Sequence, residues 1–310
     1  MHAKTLVSTE GLSEAEWLAH RARGIGGSDV AAICGLSPWK SAVQVYLEKV
    51  GAAVDQEENS AMRWGKLLEP VIAEQFSRET GMPIRRMPAI LQHPEQDWAL
   101  ANLDFLLSDP REKEPGILEV KNTSAYLAHA WEDDVAPEHY TLQLQWYMHV
   151  TGLTWGYFAP LIGGNRLLTD KRMEYDAELV EPMVKICQDF WQMVVLKTPP
   201  APDGRPASTE LMKHLYPHAA PGKIVELPES LEDDFRRLPL LVEELKVFTE
   251  EREREIEAIK NKIKAEMKDA EAATLCGKVV VTWKEQERAA YSVEAGRFRV
   301  MRFVKPKKEK

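Results

Sequence analysis

Four prolines within eight residues, ProProAlaProAspGlyArgPro at 199–206, cut the 310-residue chain into two stretches that follow different hydrophobic periods. Proline lacks the amide that a helix or an inner strand requires, so no regular element is expected to run through such a segment. Upstream, short alternating apolar runs mix with runs at helical spacing. Downstream, Leu231, Phe235, Leu238, Leu245, Phe248, Ile256, Ile259, Ile263 and Met267 recur amid dense Glu, Lys and Arg, which predicts a long amphipathic or coiled-coil helix over 229–268. The expected division is a domain at 1–198, a proline-rich linker or arm at 199–228, and at 229–310 the long helix with a short β tail. LysValValValThrTrp and ArgPheArgValMetArgPhe supply the strands of that tail, before a basic end.

In the first domain, Gly24, Gly26, Gly27, Gly35 and Pro38 punctuate residues 12–50 into a helix, a glycine-rich turn, a short helix and another helix. Leu67, Leu68, Val71, Ile72 and Phe76 predict an amphipathic helix from Arg63 that stops at Gly81. Strands are expected at 84–91, 98–107 and 117–121, with a hairpin-like pair over 153–168 around Gly163 and Gly164. Helices are expected at 123–131, 138–152 and 176–196. Strands interleaved with helices in this way give a mixed sheet of the α/β (α+β) class.

A net charge of −9 opposes a protein that coats nucleic acid by bulk electrostatics, since such domains are usually basic. It permits an enzyme with a local positive funnel, and carboxylates gathered for metal ions themselves lower the charge. No apolar run nears the roughly 20 residues that span a bilayer, and the start lacks the basic-then-apolar order of a secretory signal. The expected location is the cytoplasm of a bacterial host, with no membrane partner. Cys34, Cys187 and Cys276 form no CxxC pair, so reduced structural thiols are expected. His93, His129, His139 and His149 show no ligand spacing, and none is assigned to catalysis.

The chemistry concentrates in IleLeuGluValLys at 117–121. Side chains two apart on a strand share a face, so Glu119 and Lys121 point together while Leu118 and Val120 enter the core. An acid and an amine so placed hold a metal ion, position a water and stabilise developing charge; the ordinary alternative is a surface ion pair. Upstream, AlaAsnLeuAspPheLeuLeu sets Asp104 among residues that prefer burial, and a buried carboxylate needs a partner. If the strands at 100–107 and 117–121 are neighbours, Asp104 and Glu119 converge and repel unless a cation lies between them. Oxygen ligands of this kind suit magnesium or manganese rather than zinc. At the glycine-rich entry, Ser28 is placed to cap the following helix, whose free amides attract phosphate oxygens, with Arg21 and Arg23 nearby. Trp39, Tyr46, Trp64 and Trp146 are candidates for base stacking but are expected in the core, where aromatics at helical spacing usually lie.

Asp104 followed by Glu119-x-Lys121 resembles the PD-(D/E)xK signature. Four flanking stretches resemble the YqaJ and lambda-exonuclease family of viral recombinases: GlyIleGlyGlySerAspValAla at 24–31, TrpGlyLysLeuLeuGlu at 64–69, AsnLeuAspPhe at 102–105 and GlnLeuGlnTrpTyrMetHisValThrGly at 143–152. Order and spacing agree over roughly residues 15–165; the departure is Asn102-Leu103, where many relatives place a proline before the aspartate. The resemblance implies a restriction-endonuclease-like core, a mixed sheet flanked by helices, with the C-terminal helical and β segment as an appendage. It implies that Asp104 and Glu119 bind Mg2+, or Mn2+, with the Val120 carbonyl as a further ligand. Lys121 then orients the water and helps deprotonate it, and Glu69 supports a second ion. Of Gln143 and Gln145, which cannot both face the site from one helix, Gln145 is expected nearer the chemistry. Ser28 with Arg21 or Arg23 is expected to grip a 5′-terminal phosphate.

The activity so implied is hydrolysis of linear duplex DNA from the 5′ end, leaving a 3′ overhang for a single-strand annealing protein. The enzyme is expected as a homo-oligomer, with a trimer among the options, and as a phage or prophage product. The rivals are an endonuclease with the same site and a non-catalytic DNA-binding scaffold.

Overall fold

The computed structural model describes residues 2–52, 59–132, 136–218, 224–275 and 278–282, and the chain divides into two units, Met1–Tyr216 and Pro217–Lys310. The first opens with β1 (Lys4–Ser8), the short helices α1 (Glu14–Arg21), α2 (Gly27–Ile33) and α3 (Ala42–Lys49), and the long α4 (Ser60–Thr80). Strands β2 (Ile84–Arg86), β3 (Ala89–Gln92), β4 (Leu100–Ala101), β5 (Phe105–Leu107) and β6 (Gly116–Thr123) follow. A 3-10 segment (Ala125–Trp131), α5 (Glu138–Thr151), β7 (Trp155–Ile162), β8 (Arg166–Leu167), β9 (Lys171–Glu174), α6 (Ala177–Leu196) and α7 (Pro206–Leu215) complete it. Helix ends carry their signals: Asn59 accepts from the Met62 amide at the start of α4, and Gly81, at φ 72°, ends it in the left-handed region as expected.

The main sheet runs β2-β5-β6-β7-β8, with β9 also on β7. Strands β6 and β7 are parallel and joined through α5; the other pairs are antiparallel, so the sheet is mixed. A smaller sheet, β1-β3-β4, lies apart from this path. Two expected strands therefore divide. Pro88 separates β2 from β3, and Asn102-Leu103-Asp104 separates β4 from β5, each break sending the chain from one sheet to the other. Strands β1 and β9 lacked the apolar alternation that reveals a strand: β1 mixes exposed and intermediate positions, and the one buried position of β9 is a lysine, Lys171.

Helix α4 covers one face of the main sheet, packing Ile72, Ala73 and Phe76 against Phe105, Leu107, Leu118, Val120 and Trp155. The core containing α2, α5 and α6 gathers Ile117, Phe158 and Ile162. Strand β6 thus gives alternate side chains to two cores, as its period of two requires. Helices α2 and α5 approach so closely that a Cβ on Gly27 would lie 2.4 Å from the Tyr147 ring, which restricts the position to glycine.

Within the stretch expected to be a linker, Pro206 begins α7, where its missing amide costs no hydrogen bond. Ser208 and Leu211 of that helix are buried, and the first unit extends to Tyr216 rather than 198. In the second unit α8 (Glu232–Met267) is followed by the antiparallel pair β10 (Ala272–Leu275) and β11 (Lys278–Thr282). The ArgPheArgValMetArgPhe stretch and Cys276 lie outside the described residues.

Candidate active site

The register of β5 on β6 decides which carboxylates meet. Phe105 pairs with Leu118 and Leu106 with Ile117, so the next step of the ladder sets Asp104 opposite Glu119. Asp104 stands in the break before β5, and its Oδ2 accepts a 3.0 Å hydrogen bond from the Val120 amide. Glu119 is 2% exposed. Its Oε1 accepts from Lys121 Nζ at 2.7 Å and from Gln143 Nε2 at 2.6 Å, while Gln143 Oε1 accepts from Lys121 Nζ at 3.0 Å. Gln143 also donates to the Tyr147 hydroxyl at 3.0 Å, and Lys121 Nζ lies 4.5 Å from the centre of the Tyr140 ring. These contacts fix Glu119 and Lys121 between β6 and the inner face of α5.

The electrostatics follow from crowding acids in a dry place. Burial first, then the charge of Asp104, raises Glu119 to about 8. Burial and Asp104 raise Glu69, on α4, to about 7, against the pull of Arg86, whose guanidinium lies 4.0 Å away. Burial also raises Asp104, opposed by Lys121 and by the Val120 amide. For Lys121, burial works against the charge, but Glu119 and Asp104 outweigh it and hold the ammonium form. An ammonium orients a water and stabilises an oxyanion; it does not itself take up the water's proton.

Glu119 Oε2 is buried and has no hydrogen-bond partner among the described residues. Such an atom beside a second carboxylate is what an oxygen-seeking divalent ion would satisfy. Among the described residues no three Asp, Glu, His or Cys side chains gather into a ready metal cage. Magnesium does not need one, since it is commonly held by one or two carboxylates and keeps several waters. Asp104 and Glu119 fit that donor set, with the Val120 carbonyl beside them and Glu69 at its edge.

Gln145 is not part of this centre. Its Nε2 donates to the Glu174 carbonyl at 2.7 Å and its Oε1 accepts from the Asp176 amide at 2.9 Å, so it braces the turn into α6. Residues two apart on a helix face nearly opposite ways; β6 lies on the side of Gln143, and only the packing of α5 decides this. His139 packs on Trp39 and Tyr140, and burial with the charge of Lys121 lowers it to about 4, leaving it neutral.

The family model described as the YqaJ-like viral recombinase domain matches residues 16–154, which include every residue of the centre. YqaJ of Bacillus subtilis (strain 168) is 37% identical over 286 residues, covering 91% of this chain and 86% of the relative. The chain belongs to the YqaJ-like viral recombinase family. Among solved structures, the alkaline exonuclease LHK-Exo from Laribacter hongkongensis aligns at 23% identity over 59% of this chain and 94% of that one, with a TM-score of 0.48. Its complex with dAMP aligns at 21% identity over 65% and 97%, with a TM-score of 0.49.

In this YqaJ-like chain a second polar cluster adjoins the first. Arg21 donates to Ser28 Oγ at 2.7 Å and lies over the Trp17 ring at 4.7 Å. Arg23 is exposed, and it is Arg21 that the structure brings to Ser28. Ser28 does not cap α2: Gly26 is the N-cap, its amide donates to Asp29 at 3.1 Å, and the Ser28 hydroxyl is left facing Arg21. Asp29 is fully buried; burial opposes its charge, but Lys49, Arg21 and Lys40 together hold it well below the usual carboxylate range. Sequence spacing gave no sign of this buried knot, because Lys49 comes from α3, 20 positions away. No described helix is long and apolar enough to cross a membrane.

Proposed function

We propose that the chain is a magnesium-dependent deoxyribonuclease that digests linear duplex DNA from a 5′-phosphorylated end and leaves a 3′ overhang for a single-strand annealing protein. The observation that carries this reading is the meeting of Asp104, Glu119 and Lys121 at the β5–β6 pairing, where Glu119 is buried and its Oε2 lacks a hydrogen-bond partner among the described residues. Membership of a viral recombinase family supports DNA as the substrate; polarity, annealing partner and a homo-oligomeric state, with a trimeric ring among the options, come from the family resemblance. Mn2+ is the natural substitute ion.

Asp104 and Glu119 would hold the ion, with Val120 contributing its carbonyl and Glu69 supporting a second ion. Bound there, magnesium supplies Lewis-acid stabilisation and lowers the pKa of a water. Lys121 keeps its proton, orients the attacking water and faces the charge that develops on the phosphoryl oxygens. Gln143 fixes the Lys121 ammonium and the Glu119 carboxylate at one spacing, so neither has to reorganise during the reaction. Arg21 and Ser28 present donors for a terminal phosphate, joined to the centre through the contact of Gly27 with Tyr147.

The test is digestion of 5′-phosphorylated linear duplex beside closed circular plasmid, with and without magnesium, by wild type and Lys121→Ala. Loss of the linear DNA alone, abolished in the variant, is expected. Cutting of the circle would make the protein an endonuclease, and no metal-dependent loss of either would leave a DNA-binding scaffold.

A further inference from the structure

Of the four aromatics expected in the core, Tyr46 and Trp146 are buried, whereas Trp64 is 56% exposed and Trp39 60%, and of these two it is Trp39 whose ring contacts lead to the Lys121 ammonium. The backbone of Trp39 is nevertheless fixed. Ser37 Oγ accepts from the amides of Trp39 and Lys40 at 3.3 and 3.2 Å, and Lys40 Nζ reaches Glu48 at 2.7 Å and Asp29 at 3.6 Å. One side of the indole is engaged: the rings of Trp39 and His139 meet edge-on at 4.7 Å, and Tyr140 lies at 6.0 Å. Tyr140 in turn stands 4.5 Å from Lys121 Nζ. These legs limit the distance from the indole to the Lys121 ammonium to about 10.5 Å, roughly three base rises along a duplex strand.

An apolar surface of this size, held rigidly beside a cluster of charged groups and left open to solvent, has no role in the core. We propose that Trp39 is a stacking platform for a nucleobase of the strand being hydrolysed, within about three nucleotides of the scissile phosphate. The inference rests on the nuclease reading and adds a substrate subsite to it. Stacking suits such an enzyme because every base offers a π face, so the contact positions the strand without reading its sequence. The fixed loop matters for the same reason: little side-chain freedom remains to be lost when the base arrives.

The experiment uses full-length protein and 5′-phosphorylated duplexes carrying one abasic residue at successive positions from the end. Wild type, Trp39→Ala and Trp39→Phe are compared for KM and kcat, and thermal unfolding checks that each is folded. At one position the missing base is expected to raise the wild-type KM roughly ten-fold. Trp39→Ala should show that rise on intact DNA and no further rise at that position, while Trp39→Phe keeps most of the wild-type response. Should Trp39→Ala fail to fold, Trp39→Gln takes its place in the same comparison. If base removal and loss of the indole act independently at every position, the platform is overturned. If wild type leaves intact duplex undigested with magnesium or manganese, the nuclease reading falls and the platform with it.

Discussion

The Asp104 carboxylate accepts a hydrogen bond from the Val120 amide 3.0 Å away on the neighbouring strand, so the group proposed to hold the metal also serves as a rung of the sheet. The two roles separate by substitution. Asp104→Asn retains an acceptor for the amide and removes a charge that burial disfavours. Its melting temperature is expected to equal or exceed that of wild type, while digestion falls at least about 100-fold. Asp104→Ala loses the acceptor too, and should be less stable than Asp104→Asn by about 1–3 kcal/mol for the amide left unpaired. Equal unfolding midpoints for the two variants would refute the structural half of the argument.

The raised carboxyls make metal-free stability depend on pH with a definite sign. Glu119 moves from an ordinary value of 4.5 to about 8, and Glu69 from 4.5 to about 7. The folded state therefore binds more protons than the unfolded chain across this window. The contribution of these acids is fully present below pH 4.5 and is lost as pH rises through about 7 to 8. Denaturant unfolding in EDTA should show this decline, and Glu119→Gln should flatten it. Magnesium at a hundred times its dissociation constant should stabilise the wild type at pH 8 by about 2.7 kcal/mol, a rise of roughly 5–10 °C. No rise, or an equal rise in Glu119→Gln, would count against this pair as the metal site.

Gln143 and Gln145 offer a matched comparison on one helix. Gln143→Ala removes the group that spaces Lys121 from Glu119, and a loss of roughly 100-fold in kcat is expected with modest change in KM. Gln145→Ala removes the two hydrogen bonds that hold the turn into α6. Its expected cost is about 1–3 kcal/mol of stability, with turnover per folded molecule unchanged. Steady-state kinetics together with thermal unfolding decide the assignment, and the reverse pattern would restore Gln145 to the site.

The contrast between these glutamines shows where sequence reasoning stops. Glu119 and Lys121 share a face because a strand repeats every two residues, and that rule is local. Their meeting with Asp104 needed one further guess, that two strands joined by a short connection are neighbours, and the sheet contains that pairing. Which side of α5 faces β6 depends on packing contributed by β7, α6 and α2 together, and nothing in the spacing of two polar residues encodes it. The same holds for Asp29, whose three cations arrive from α1, α3 and the loop between α2 and α3. The proline-rich run misled in another way: Pro206 reads as a breaker, yet a proline at the start of a helix is compatible with it, and Leu211 then has a face to bury.

That knot around Asp29 supports a last prediction. Lys49 and Lys40 both reach the same carboxylate, but unequally. The Lys49 side chain is 3% exposed and its Nζ lies 2.7 Å from Asp29 Oδ2, whereas Lys40 is 23% exposed at 3.6 Å from Oδ1. Lys49 also donates to the Arg21 carbonyl at 3.1 Å, tying the end of α1 to α3. Removing the buried partner leaves Asp29 with less than it needs to offset burial, so Lys49→Met should cost about 3 kcal/mol, the low end for a broken buried pair because Arg21 and Lys40 remain. Lys40→Met should cost about 1 kcal/mol or less. Because Arg21 loses its backbone anchor only in the first variant, Lys49→Met should also narrow the preference for 5′-phosphorylated over 5′-hydroxyl duplex ends, measured below its melting temperature. A Lys49→Met protein that melts with wild type would mean that Asp29 is adequately balanced by Arg21 and Lys40 alone, and that Lys49 is there for packing.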